Sequence, residues 1–173
     1  KYQNETDKMT EIYCGIRRRQ KKQFKRDKKE YEKLSEHIGQ IPLVMISPAD
    51  IEIIEGGSEE RRKFMDIAIS QFDKEYMQSL IRYNKALQQR NALLKLDDNL
   101  IDATLLQIWE EQLVEEGELI YNKRHNFIKQ FTPIFDYYYK RVSASQENVS
   151  FEYNSQLQDG SFATMLKDNR RRE

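Results

Sequence analysis

Cysteine, proline, glycine and histidine are all scarce in this chain, and each scarcity excludes something. A single cysteine, Cys14, excludes an internal disulfide framework, and such usage fits a reducing cytoplasm. Three prolines and six glycines in 173 residues exclude collagen-like and Pro/Gly-rich disordered chains. The two histidines, His37 and His125, lie far apart with no carboxylate at metal-ligand spacing, so both are expected at the surface or an interface. No apolar run approaches the roughly 20 residues of a membrane helix, and no membrane partner is predicted. Excess charge of either sign is also missing, since 29 Lys and Arg balance 29 Asp and Glu. Any nucleic-acid contact must therefore come from local clustering.

What is present suits a helix-rich soluble protein, with 38% hydrophobic and 34% charged residues. The length allows one domain, or one and a fragment. Lys1 at the start and Arg170-Arg171-Arg172-Glu173 without a helix stop predict a chain cut from something longer. The fold class expected is α+β, mainly α: an elongated antiparallel helical hairpin beside a small antiparallel β edge. Residues 10–19 alternate, and residues 21–25 and 28–33 flank a polar Arg26-Asp27 turn, which reads as a hairpin. Cys14 falls on the apolar side of that alternation with Ile12 and Ile16, predicting a buried strand position. Ser35–Gly39 reads as a helical turn, and Ile41–Ile46 as a short buried strand.

Helices are predicted from Pro48 onwards, proline being well placed where its missing N–H has no partner anyway. Gly56 and Gly57 are expected to end a short helix in the left-handed conformation, and Ser58 to cap the next, with Glu59 and Glu60 in its positive first turn. Asp73 offers a second cap or a bend. Beyond it Met77, Leu80, Ile81, Leu87 and Leu94 recur at helical spacing, with Asn84 and Asn91 in the same stripe as candidate register setters of a helix pair. Asp97-Asp98-Asn99 is a turn. Leu105, Trp109, Leu113, Ile120, Phe127, Phe131, Ile134 and Tyr138 then mark one face of a helix over about 102–142. That helix would span roughly 60 Å against roughly 36 Å for residues 73–96, so it should overhang or bend, with Pro133 the expected bend. Gly117 weakens its middle. Residues 149–157 alternate like a strand, and Ser161 opens a last capped helix.

Enzymatic chemistry is not legible. No glycine starts the G-x-x-x-x-G-K-[ST] pattern of a phosphate loop, the acids after Gly57 would repel a phosphate, and no aliphatic run ends in paired acids. No catalytic, cofactor-binding or metal-binding residue is therefore assigned. Basic residues carry the alternatives. Arg17, Arg18, Arg19, Lys21, Lys22 and Lys25 crowd the predicted hairpin, either as a solvated edge guarded against pairing or as contacts to DNA phosphates. Arg61 and Arg62 stand in the first turn of a helix, where cations oppose the dipole. They either pair with nearby acids (Glu59, Asp66, or Asp50, Glu52 and Glu55) or hold an anion or a partner subunit. Arg82, Lys85 and Arg90 are expected to be solvated.

Residues 48–66, PADIEIIEGGSEERRKFMD, resemble the signature segment of the RecF family of bacterial ATP-dependent DNA-gap repair proteins. The positions that carry it are Pro48, Ile53, Ile54, Gly56, Gly57, Arg61, Arg62, Phe64, Met65 and Asp66. Ala49 and Ser58 depart from it, standing where the family has an acid and a proline. Residues 40–48, 83–95 and 111–124 extend the likeness over most of the chain. The resemblance implies that residues 1–46 are strands of an ATPase lobe of ABC, chromosome-maintenance-like type. It makes 47–148 a helical second lobe, and 149–173 a strand and helix returning to the first. It implies ATP and Mg²⁺ in the full-length protein but no cofactor in this fragment, whose Walker and signature-loop residues would lie outside it. It further implies a nucleotide-driven homodimer, DNA at single-strand/double-strand junctions, and RecR, RecO and RecA as partners. A competing reading from another class is a helical-hairpin scaffold that docks another helix without nucleic acid.

Overall fold

The computed structural model describes residues 2–3, 9–20, 22–41, 43–144 and 146–170. The chain divides into two compact units, residues 1–48 and 49–173.

In the first unit, β1 (Tyr2–Gln3) pairs antiparallel with β2 (Met9–Thr10). A second antiparallel sheet has the order β3 (Ile12–Gly15), β4 (Gln23–Arg26), β5 (Lys29–Glu30). The predicted hairpin forms, with its turn one residue later than the expected Arg26-Asp27, because Arg26 still pairs in β4. Its turn residues Asp27 and Lys28 both take positive φ, 50° and 70°, the two-residue geometry whose twist matches the strands. Asp27 is further held by an exchange with the Glu11 backbone, accepting from its N–H at 2.9 Å. A 3-10 turn, Leu34–His37, follows as expected, and His37 lies half-buried against the Phe24 and Tyr31 rings.

Two β expectations are corrected here. Cys14 lies in β3 but is exposed, because a three-stranded sheet of this size covers neither of its faces. Residues 43–46 form no strand, and Leu43, Val44, Met45 and Ile46 are 70–87% exposed. The run has the apolarity of a buried strand, but none of the described strands is its neighbour in a sheet.

The second unit is helical. A 3-10 turn, Pro48–Ile51, runs into α1 (Glu52–Glu55), followed by α2 (Ser58–Phe72), α3 (Lys74–Leu93), α4 (Ala103–Val142) and α5 (Phe162–Asn169). Asp73 caps α3 by accepting from the Tyr76 N–H at 2.9 Å, and its extended backbone separates α3 from α2. Asp102 caps α4 in the same way, accepting from the N–H groups of Thr104 and Leu105. The α4 helix runs unbroken through Pro133.

The contacts along α4 resolve the mismatch in helix length. Phe64 meets Phe131, Asp66 meets Arg124, Asp73 meets Lys123, Ser79 meets Glu116, and Arg90 meets Glu110. As one number rises the other falls, so α2 and α3 both run antiparallel to α4, one after the other. The short arm of the hairpin is thus two helices jointed at Asp73, and α4 lies against both.

Met65, Ile69, Tyr76 and Ile120 form the buried cluster where the three helices meet, and Leu106, Leu113, Met77 and Ala86 continue it along the hairpin. The predicted stripes are partly right. Leu113 and Ile120 point inward, but Leu106 is buried instead of Leu105, and Ile134 and Tyr138 are exposed. A seven-residue repeat drifts by about 20° per heptad around a straight helix, so positions chosen at that interval stray off the buried face over 40 residues. Asn84 and Asn91 are exposed, not between the helices. Arg90, expected in solvent, is only 2% exposed.

Residues 149–155 form no strand either. With no partner strand among the described residues, this segment lays its alternate side chains on α4: Phe151 between Phe131 and Phe135, and Tyr153 on Tyr121. α5 then docks through Phe162. A Cβ placed on Gly117 would stand 2.6 Å from Phe162 Cε1 and 3.3 Å from Tyr83 Cε2, so the glycine is a seat for that ring. Gly117→Ala is therefore expected to destabilise by about 1–2 kcal/mol despite alanine's better helix propensity. A smaller side chain at Phe162 should relieve part of that loss, and denaturant titration of the two single variants and the double variant measures it.

Candidate functional site

The segment from Pro48 to Asp66 places almost all of its distinctive residues in structural roles. Gly56 and Gly57 are not left-handed, having φ of −79° and −80°. Crowding explains Gly56 instead: a Cβ there would lie 2.4 Å from the Glu52 carbonyl oxygen. Gly57, not Ser58, is the N-cap of α2, and Ser58 is its first helical residue without a side-chain capping bond. Arg61 Nη1 donates to the carbonyls of Gly56 at 3.0 Å and Ile53 at 3.3 Å. It thereby satisfies chain ends left open by α1, which offsets its unfavourable place in the α2 dipole. Phe64 joins a row of rings with Phe131, Phe127 and Phe135.

Asp66 is the hub of a polar cluster against the core. Arg124 Nη2 donates to its Oδ1 at 2.7 Å and Oδ2 at 3.0 Å, and the fully buried Tyr76 hydroxyl also donates to Oδ1. Burial and the Asp66 carboxylate together push the Tyr76 phenol well above its ordinary range, so it stays a donor. Two carboxylates that are buried outright hold the hairpin. Glu116 accepts from Ser79 at 2.6 Å and from Arg82 Nη2 at 2.9 Å, and the Arg82 hydrogen bond keeps its carboxyl below 4.5. Glu110 accepts from Arg90 at 3.3 Å and from Arg170 at 2.8 Å. Neither arginine of α3 expected to be solvated is idle, whereas Lys85 does lie exposed, over the Trp109 ring. These carboxylates escaped the sequence reading because each partner lies 20 or more residues away on another helix.

Arg62 has no such structural use. It is exposed and makes neither a hydrogen bond nor an ion pair among the described residues. With Lys63 it stands on the rim of a groove of about 780 Å³ between α2, the hairpin, residues 153–157 and α5. Tyr83 lines that groove; burial raises its phenol above the ordinary 10.0, opposed by the charges of Arg124, Arg90 and Arg62.

The other basic residues belong to the first unit. Arg17, Arg18, Arg19 and Lys22 are exposed between β3 and β4, with Arg19 at φ 62°. Lys25 is half-buried in β4 over the Tyr13 ring, and Lys21 lies outside the described residues. Pro48 opens the 3-10 turn. Among the described residues there is no cluster of potential metal ligands and no helix long and apolar enough to cross a membrane.

No family model matches the chain. Curated relatives do, over nearly its whole length. It is 52% identical over 172 residues to the DNA replication and repair protein RecF of Phocaeicola vulgatus, which covers 99% of this chain. It is 55% identical over 163 residues to the protein of the same name from Bacteroides fragilis, covering 94%. The chain is homologous to RecF.

A solved structure agrees: the recombination mediator protein RecF-ATPrS in the RecFOR pathway superposes with a TM-score of 0.77 at 28% identity, covering 94% of this chain. A second RecF structure, the RecF-ATP form, matches with the same TM-score over 91%. The chain spans less than half the length of these relatives, 46% and 44% of the two RecF sequences and 46% of the first solved chain. The mainly α architecture with a small antiparallel β part is thus that of a RecF segment.

Proposed function

We propose that this chain is the DNA-facing helical lobe, with adjoining strands, of a RecF-like ATP-dependent repair protein. In this reading residues 1–46 belong to the ATPase lobe, 47–148 form the helical lobe, and 149–173 return toward the first. ATP and Mg²⁺ are handled by residues outside the chain, and nucleotide drives homodimerisation. The protein acts in the cytoplasm on junctions of single- and double-stranded DNA, with RecR and RecO, and assists RecA. Relatives named for DNA replication and repair support the process, and neighbours solved with ATP and ATPrS support the cofactor.

The observation that carries the DNA contact is Arg62. Arg61, Phe64, Met65 and Asp66 each make intramolecular contacts, whereas Arg62 and Lys63 stand exposed as cations without a hydrogen bond or ion pair among the described residues. Contacts of this kind bind phosphate without reading sequence, and each releases counterions.

The test is binding of a gapped duplex across a range of salt concentrations. Arg62→Ala is expected to weaken binding and to reduce the slope of log K against log salt by about 1. Arg61→Ala is expected to leave that slope alone and to lower the melting temperature by about 2–4 °C through its lost carbonyl contacts. An unchanged affinity and slope for Arg62→Ala would remove this residue from the DNA surface.

A further inference from the structure

We propose that the closed end of the α3–α4 hairpin is a docking surface for a protein partner that presents an apolar knob ringed by lysine and arginine. The surface is separate from the DNA contact, and nothing in the reading above requires it.

Three observations converge. First, the connection between the two helices is apolar where a solvated turn would be polar. Leu96 and Leu100 in the turn, with Leu105 and Ile108 at the start of α4, are 38–67% exposed. Single exposed aliphatics are ordinary, but a group of them at one end of a helical pair marks an interaction surface. The hairpin does not need them for closure. Leu106 is the residue of this stretch that fills the core, and Arg90 with Glu110 bridges the two helices just below.

Second, Trp109 belongs to the same end. Leu105 and Trp109 are four apart on α4 and so lie side by side on its surface. This tryptophan, the only one in the chain, is half-buried, with Lys85 of α3 over its ring at 6.0 Å. A half-open tryptophan beside exposed aliphatics is the composition of an interface anchor. Third, the rim is acidic. Residues 91–111 carry five acids against one base, Lys95. Glu110 turns inward to Arg90, while Asp97, Asp102 and Glu111 are exposed.

That charge selects the occupant. The phosphates of a nucleic acid or of an anionic lipid surface would be repelled, and a second copy would set acid against acid. A protein with basic side chains around an apolar centre is complementary in both respects. Its charges fix approach and orientation, and its apolar centre gains affinity from the aliphatics and Trp109. Phe64 meets Phe131, which puts the level of Arg62 roughly 40 Å along α4 from Leu105. Partner and DNA thus have separate ends of the helical unit.

The test places the photocrosslinking amino acid p-benzoylphenylalanine at Leu100 of the intact protein, in cells of its source organism, with the exposed Gln88 of α3 as control position. A protein adduct that the control lacks is expected, and its crosslinked peptide, identified by mass spectrometry, should carry Lys or Arg beside apolar residues. That peptide, synthesised with a fluorescent label, should bind the intact protein. Leu100→Asp with Ile108→Asp should weaken binding at least tenfold. Asp97→Lys with Glu111→Lys should weaken it about tenfold and remove most of its salt dependence. Circular dichroism melts establish that both double variants are folded, and both should bind gapped duplex as the unaltered protein does. An adduct with DNA, with a second copy or with another part of the same polypeptide would overturn the proposal. So would the absence of an adduct specific to position 100, or a peptide affinity indifferent to both double variants.

Discussion

Glu110→Ala should lower the stability of the helical unit by about 3–5 kcal/mol, the loss expected when one partner of a buried ion pair is removed. Arg90 is 2% exposed and would be left in the hairpin without its carboxylate. Arg170 would lose the same partner, and with it a link that ties the end of α5 to α4. A fall of about 10–20 °C in melting temperature follows from that magnitude. Arg170→Ala should cost far less, since Arg170 is about one-third exposed and water can replace part of its contact. Replacing Glu110 and Arg90 together by methionine should recover much of the loss, because the penalty comes from the orphaned charge.

The same pair sets the response to acid. Burial alone would raise the Glu110 carboxyl, but the hydrogen bonds and charges of Arg170 and Arg90 hold it below 4.5. A carboxyl whose folded value is depressed adds stability above its unfolded value and loses it as pH falls through the folded one. Unfolding free energy should therefore stay level near neutrality and decline below pH 4.5, with Glu116 contributing in the same direction. A decline of equal size in Glu110→Ala would show that other groups control it.

Asp66→Ala is expected to cost about 2–4 kcal/mol, measured by urea denaturation. It strands the mostly buried Arg124 and the hydroxyl of Tyr76 at once. Asp66→Asn should fall between, since an amide oxygen can accept but carries no charge for the guanidinium. Little loss of stability together with loss of DNA binding would make this signature residue a contact instead of a brace.

How much of this was legible in the sequence depends on distance along the chain. Asp73 as a cap was readable, and the hairpin turn was readable to within one residue (Arg26-Asp27 expected, Asp27-Lys28 found), because their chemistry is completed within three residues. The length and position of α4 were readable from periodicity. Gly117 read as a weak point because its reason, Phe162, lies 45 residues further on. Arg90 read as solvated because a buried arginine and an exposed one look alike until Glu110 is brought beside it. Residues 43–46 and 149–155 misled for one reason: apolar alternation records a need for burial, but a strand also needs a neighbour. In the signature segment the likeness was readable as a whole. The division of labour within it, Arg61 turned inward to carbonyls and Arg62 left outward, was not.

The uncovered apolar run has a consequence for how the polypeptide behaves at high concentration. Exposed strand-like segments of six or seven uncharged residues are the usual seeds of fibrils. Here Pro42 and Pro48 bracket only Leu43 to Ser47, and proline cannot donate to an intermolecular ladder. The window open to a neighbouring molecule is thus shorter than a fibril seed, so a surface this greasy can persist without templating its own aggregation.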